Sequence, residues 1–312
     1  MDGPVCLSDV STAQPEIDFP VQLLPASSFR VEQLTAAYNQ TRVDYLVPMP
    51  MTAARLAEYI HVYDIDLDRS VVAVADDQIL GLAMLGVRSG RAWITRLGVL
   101  PIKRRRGVGE ALMHALLLAA ARLGIDDIAL EVIKNNTPAH ALFQKLGFCE
   151  TGELLVLRRP PGLPHPFVAG EARWLERDEA LALIDCWARP QAWTNEAESF
   201  ANAHGILGMQ LTLADGSHGW IVFERQRFIL TRIVMLADRG DPVAVGRALL
   251  SHLHQRFPEL DTHAENTSAD DSHLPAFWKA GYVESFRRIE MQRQRHPGPL
   301  PVFLKELSAR SI

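Results

Sequence analysis

Between Val71 and Leu100 the chain turns strand-like, in short, largely apolar runs. The runs Val71-Val72-Ala73-Val74-Ala75, Ile79 to Val87 and Arg91 to Leu100 are separated by Asp76-Asp77 and Ser89-Gly90. Short strand-like runs joined by such turn residues predict an antiparallel meander. The period then lengthens. Val108 to Leu123 predicts a helix that ends at Gly124, where a missing Cβ suits a left-handed cap. Ile128 to Ile133 predicts a short buried strand, and Thr137-Pro138 opens another helix with threonine as N-cap and proline at the first helical position. Gly147 closes that helix, and Phe148 to Leu157 supplies the last strands. Ahead of the meander, Val21 to Leu24 predicts a short strand stopped by Pro25. Ser27 or Ser28 can cap a helix to about Gln40, and Thr52 can cap a second over Ala53 to His61.

Arg159-Pro160-Pro161-Gly162-Leu163-Pro164-His165-Pro166 predicts a linker. Beyond it the pattern predicts a helix over Arg177 to Ala188, strands over Gly208 to Leu213, Gly219 to Glu224 and Phe228 to Leu236, and a helix over Val243 to Phe257. Two stretches then rhyme with the first half. Val245-Gly246-Arg247-Ala248-Leu249 echoes Val108-Gly109-Glu110-Ala111-Leu112, and Ala276-Phe277-Trp278-Lys279-Ala280-Gly281-Tyr282 echoes Leu142-Phe143-Gln144-Lys145-Leu146-Gly147-Phe148. Matches in the same order point to a duplicated domain. The expected organisation is a loose tail over 1–18, a first domain over 19–158, a linker over 159–166 and a second domain over 167–312.

The bulk numbers change this picture little. A chain of 312 residues suits more than one domain, and 48% hydrophobic with 22% charged residues is ordinary for a globular protein. The net charge of −5 argues against nucleic acid as a partner, since a phosphate backbone needs a basic face. No apolar run is long enough to span a membrane. The three cysteines, Cys6, Cys149 and Cys186, have no paired spacing, so neither a disulfide framework nor a metal site is expected. The N-terminus lacks the apolar core of a secretory signal, and a reducing cytoplasm is the expected compartment.

The chemistry concentrates where the meander meets the long helix. Val99-Leu100-Pro101 ends a strand, and Arg104-Arg105-Arg106-Gly107-Val108-Gly109 leads straight into the helix. A helix start leaves N–H groups unpaired and carries partial positive charge, and glycines let an anion approach those groups. A tight strand-to-helix turn with solvated arginines is the plain alternative. Dinucleotide binding is a sharper rival, with Glu131 downstream, but the third fingerprint position is Leu112 and the preceding sheet is antiparallel.

These residues resemble the GNAT superfamily of N-acetyltransferases. Its V-x-P, then Q/R-x-x-G-x-G/A, is matched by Val99-Leu100-Pro101 and Arg104 to Gly109. Its asparagine followed by L-(Y/F)-x-x-x-G-F is matched by Asn136, Leu142-Phe143 and Gly147-Phe148. The resemblance covers roughly residues 20–158. It implies an α/β (α+β) fold of two tandem GNAT-like domains, each a mixed, mostly antiparallel twisted sheet flanked by helices, with a degenerate second copy. It further implies acetyl-CoA as acyl donor and direct transfer to a small-molecule or protein amine, in a monomer or homodimer.

By the same resemblance, Leu97, Gly98 and Val99 offer backbone hydrogen bonds to the pantetheine arm. Arg104 and the amides of Arg105, Arg106, Gly107, Val108, Gly109 and Glu110 cradle the pyrophosphate, while Asn136 and Phe143 line the arm. The strands around Val99 and Ile128 to Ile133 are expected to splay apart. Glu131 stands where some relatives keep a general base, with a plain strand-end carboxylate as the other reading. Phe143 departs from the tyrosine many relatives use to protonate the departing thiolate, and phenylalanine has no proton to give.

In the second half the equivalent loop reads Asp241-Pro242-Val243-Ala244-Val245-Gly246. An acid replaces the basic residue and proline removes an amide, so CoA binding is not expected there. His252-x-His254 reads as helix surface, Trp93 as core or cleft lining, and Tyr45 as acceptor wall or exposed loop. An acyl-CoA sensor without turnover is the competing function.

Overall fold

The computed structural model describes residues 20–164, 166–187 and 191–293. The expected tail over 1–18, Cys6, His165 and the helix end at Ala188 lie outside them. The described residues divide into two compact units, 20–151 with 289–293, and those within 152–288.

The first unit runs β1 (Gln22–Pro25), α1 (Val31–Gln40), α2 (Ala53–Val62), β2 (Val71–Ala75), β3 (Gln78–Arg88), β4 (Arg91–Val99), α3 (Val108–Arg122), β5 (Asp127–Ile133), α4 (Thr137–Lys145) and the start of β6 (Cys149–Arg159). Strands β1 to β4 pair antiparallel in sequence, and β5 joins β4 in parallel. Asp76 and Asp77 both take positive φ, the geometry of a tight hairpin turn. Alternation along β4 and β5 sends Ala92, Ile94, Ile128, Leu130 and Val132 into a core with Leu112, Met113 and Leu116 of α3. Trp93 and Glu131 fall on the opposite parity.

Some boundaries differ from the sequence reading. Ala26–Ser28 forms a short 3-10 turn, and α1 starts after Arg30, whose N–H is taken by Gln33 Oε1 at 2.9 Å. Thr52 caps α2 as expected, accepting from Arg55 N. The N-cap of α4 is Asn136 rather than Thr137, and it makes no side-chain cap bond.

The second unit repeats the same order: β7 (Glu171–Leu175), α5 (Arg177–Asp185), α6 (Ala197–Asn202), β8 (Ile206–Thr212), β9 (His218–Arg225), β10 (Ile229–Arg239), α7 (Pro242–Arg256), β11 (Asp261–Ser268), α8 (Leu274–Lys279) and β12 (Val283–Arg293). Its core gathers Leu249 and Leu253 of α7 with Ile221, Phe223 and Met235. His254 belongs there too. It is fully buried with Nε2 3.1 Å from the Tyr282 hydroxyl, and burial pulls its pKa down to about 3, which corrects the helix-surface reading. Arg159, expected to open a linker, is buried at the end of β6. Its guanidinium donates to the carbonyls of Ala280, Gly162 and Leu163, pinning the proline-rich stretch.

The sixth strand of each repeat is apportioned crosswise. Leu155 and Leu157 of β6 pack in the second unit's core, whereas Met291 of β12 packs in the first unit's core and is 0% exposed. Gln292 Nε2 donates to Asp127 Oδ1 at 2.6 Å, and Arg293 Nε to the Leu146 carbonyl at 2.9 Å. A cavity left by Met291→Ala should therefore destabilise the first unit by about 2–5 kcal/mol, although the residue lies near the far end of the chain. Differential scanning calorimetry with and without acetyl-CoA checks this: the transition that responds to the ligand should be the one that falls.

Candidate functional site

Strand β4 carries a bulge that builds the site. Its register against β3 slips between Thr95 and Gly98, and Arg96 there has φ 55°. Such an insertion re-aims the strand. The parallel ladder between β4 and β5 runs from Arg91–Asp127 to Ile94–Leu130 and stops. Thr95 to Val99 and Glu131 to Ile133 therefore diverge, leaving strand edges facing a gap.

At the far end of β4 a 3-10 turn over Pro101–Lys103 uses the Arg104 N–H, which donates to the Pro101 carbonyl. From there to α3 the backbone is free. Ala111 N is the first amide bonded back, to Gly107 O at 2.9 Å, and among the described residues no hydrogen bond uses the N–H groups of Arg105 to Glu110. Arg105 has φ 60° and Gly107 φ 76°, both left-handed. Residues of this handedness beside right-handed ones turn successive N–H groups into a concave anion nest. The helix dipole of α3 adds to it. A Cβ on Gly109 would meet Val99 Cγ2 at 3.6 Å and Leu142 Cδ2 at 3.7 Å, ordinary contacts, so the protein itself does not demand glycine there. These features fit a pyrophosphate.

The remaining sequence-selected residues have the following surroundings. Arg104 is not a free phosphate ligand. Its guanidinium makes a bidentate pair with Asp44 at 2.7 and 2.8 Å and also donates to the carbonyls of Val99 and Thr41. That bonding holds the Asp44 carboxyl below its ordinary value. Glu110 turns its carboxylate to Lys145 at 2.7 Å, leaving its amide for the cradle. Gly98 is glycine because a Cβ would stand 2.3 Å from Thr41 Oγ1, a packing demand. The Leu97 carbonyl accepts from Arg42 Nη2 at 3.2 Å. Asn136 Nδ2 lies 3.4 Å from the Tyr45 hydroxyl. Phe143 is 5% exposed and sits edge-on to Phe148 at 6.2 Å, so its ring is a core ring. Glu131 accepts from Trp93 Nε1 at 3.1 Å, one residue past the end of the β4–β5 ladder.

Of the aromatic wall, the sequence reading named Tyr45 alone as a candidate and Trp93 as core or cleft lining. Tyr45, Arg42, Tyr38, Arg96 and Tyr59 alternate ring and guanidinium, with separations of 4.4, 4.6, 5.3 and 4.0 Å. Tyr59 continues to Tyr63 and Trp93. Its hydroxyl is 2.7 Å from Thr95 Oγ1, and burial pushes its pKa above the ordinary phenol value, so it stays protonated. Tyr38 and Arg42, like Tyr59 and Tyr63, are spaced four apart, a signal readable in the sequence. The partners across β4 were not.

In the second unit Asp241 caps α7, and its carboxylate accepts from Val243 N at 3.3 Å and Ala244 N at 3.0 Å. The amides left open in α3 are taken here by the chain's own acid. Farther along, Glu224 and Arg232 form a buried ion pair at 2.8 Å, beside Asn195 and Asn266.

Residues 35–148 match the family described as Acetyltransferase (GNAT) family. The match to this family covers that stretch, a little over a third of the chain. Two proteins named mycothiol acetyltransferase are similar to it over 85 residues. The one from Clavibacter michiganensis subsp. michiganensis is 36% identical, covering 27% of this chain and 28% of that protein. The one from Clavibacter sepedonicus is 38% identical over the same shares. The match thus spans little more than a quarter of those relatives' length. Among solved structures, a GCN5-related N-acetyltransferase from Sphaerobacter thermophilus superposes with a TM-score of 0.70 at 16% identity, covering 90% of this chain and 98% of that one. A tandem GNAT protein from the clavulanic acid biosynthesis pathway gives 0.62 at 14%, covering 90% and 100%. The GNAT fold is therefore present twice, each copy a mixed, mostly antiparallel sheet flanked by helices. Among the described residues no helix is long and apolar enough to cross a membrane, and no group of side chains is arranged to hold a metal.

Proposed function

We propose that this GNAT protein is an acetyl-CoA-dependent N-acyltransferase that moves an acetyl group directly onto a primary amine. The unbonded amides from Arg105 to Glu110 carry the reading, because a water-facing anion nest at a helix start suits a pyrophosphate. The name of the curated relatives supports acetyl transfer as the reaction, over the part of them that matches.

Acetyl-CoA supplies a thioester carbonyl open to attack and a thiolate that leaves readily. The chain's residues do the rest. Arg105 to Glu110 hold the pyrophosphate through backbone N–H groups, and the edge of β4 at Leu97 to Val99 offers backbone partners to the arm. Asn136 borders the same gap from β5. Glu131 takes the proton that the amine gives up as its nitrogen bonds to the acyl carbon. A backbone N–H of β4 near Val99 would steady the oxyanion. The carbon–sulfur bond then breaks, and its electrons leave with sulfur. Phe143 cannot protonate that sulfur, so the thiolate departs unaided or takes a proton from solvent.

The second unit is proposed to bind no CoA, because Asp241 occupies the equivalent amides and adds a like charge. Isothermal calorimetry should give one acetyl-CoA per chain. Two equivalent sites would refute this asymmetry. Release of CoA thiol with pooled amines tests the enzyme. Tight binding with no release from any amine would favour the acyl-CoA sensor, a reading motivated by Phe143 and by the closed second copy.

A further inference from the structure

We propose that Arg42 reads a carboxylate on the acceptor, so that the substrates are amino-acid-like amines rather than polyamines or lysine-rich proteins. The inference rests on the N-acyltransferase reading and names its acceptor class. Arg42 lies just beyond α1, wedged between the rings of Tyr38 and Tyr45 at 4.6 and 4.4 Å. Its one side-chain hydrogen bond among the described residues runs from Nη2 to the Leu97 carbonyl at 3.2 Å, inside the bulge of β4. Nε is buried with no partner. Among the described residues no carboxylate pairs with it, and the nearest acid in sequence, Asp44, is held bidentate by Arg104.

A half-buried guanidinium without a counter-charge is costly, and ring faces offset only part of that cost. With both faces stacked, the planar edge is the polar surface left, and it matches a carboxylate in two-point geometry. Glu131, the base of the proposed reaction, lies beyond the β4–β5 ladder and accepts from Trp93, the ring next to Tyr59 at the other end of the same wall. An acceptor with an amine and a carboxylate a few bonds apart satisfies both ends at once. A diamine would set a second positive charge against Arg42 and Arg96, and like charges in a cleft are rejected more strongly than neutral groups. Arg42 is thus a positioning residue, whereas Glu131 meets the reacting nitrogen.

The test uses the full chain with saturating acetyl-CoA and follows thiol release. Acceptors are offered as free L-amino acids, the same amino acids as carboxamides, and linear diamines. Free acids should exceed their carboxamides in kcat/KM by about tenfold to hundredfold, the size of one lost charge-assisted hydrogen bond. Arg42→Gln should raise KM for the acids by a similar factor, leave the carboxamides unchanged, and leave acetyl-CoA affinity and the melting temperature intact. Arg42→Lys should recover part of the loss. Equal turnover of acids and carboxamides, preference for diamines, or an equal loss for acids and carboxamides in Arg42→Gln would overturn the proposal. If no amine releases thiol, the transferase reading fails separately. Thermal shift with N-acetyl amino acids against their amides then judges Arg42 by binding alone, and equal shifts in wild type and Arg42→Gln overturn it.

Discussion

Gly107→Val is expected to weaken acetyl-CoA binding by about a hundredfold or more while the chain still folds. Gly107 sits at φ 76° at the entry to α3. A β-branched residue is strained there by roughly 1–3 kcal/mol, which is less than the usual stability of a domain. The strain can relax only by turning the loop backbone. That swings the N–H groups of Arg105 to Glu110 out of their common direction, and two lost hydrogen bonds to a charged group account for roughly 3–6 kcal/mol. Gly107→Asn is the control, since asparagine tolerates the left-handed region and should retain binding within about tenfold. Gly109→Val separates the ligand from the backbone. Its Cβ meets nothing closer than 3.6 Å, so the fold should not notice it, but the added methyls would stand where the phosphates approach. Calorimetric affinity together with the melting temperature decides the matter. Unchanged affinity in Gly107→Val would remove the cradle from consideration.

The features legible in the sequence are those written locally. Asp76-Asp77 and Ser89-Gly90 carry the hairpin turns, Gly124 ends α3 with φ 71°, and alternation fixes which residues of β4 face the core. The loop into α3 was legible for the same reason, because its glycines act on their own backbone. Strands β11 and β12 were not. Asp261 to Ser268 holds a single aliphatic residue, Ala264, in an otherwise polar run, yet it is a strand because partners on both sides supply its ladder and bury Thr262 and Asn266. Periodicity cannot report a strand whose buried positions are polar. The crosswise use of the sixth strands is equally silent in the pattern, since Met291 suits either core by composition. Arg104 misled in the opposite direction. Its basic character fits a phosphate ligand, but Asp44, far away in sequence, claims it.

Glu131→Gln should lower kcat by about 10²–10⁴-fold at saturating acetyl-CoA, the range for losing a general base, with acetyl-CoA affinity unchanged. The substitution is chosen because a glutamine keeps an oxygen to accept from Trp93 Nε1, the bond seen at 3.1 Å, so the indole has no reason to move. Alanine would remove the Glu131 oxygen that accepts from this buried indole and confound chemistry with packing. Position favours a catalytic role. Glu131 is the first β5 residue beyond the ladder with β4, on the parity opposite the core, and it faces the aromatic wall that ends in Tyr59 and Trp93. A base works only when deprotonated, so wild-type kcat/KM should fall on the acid side, and the glutamine variant should lose that limb while its remaining rate rises only with ionisation of the amine itself. A loss smaller than about threefold, with the acid limb retained, would make Glu131 an anchor for Trp93. The amine's proton would then pass through water, and the wall from Tyr38 to Trp93 would act by orienting the acceptor.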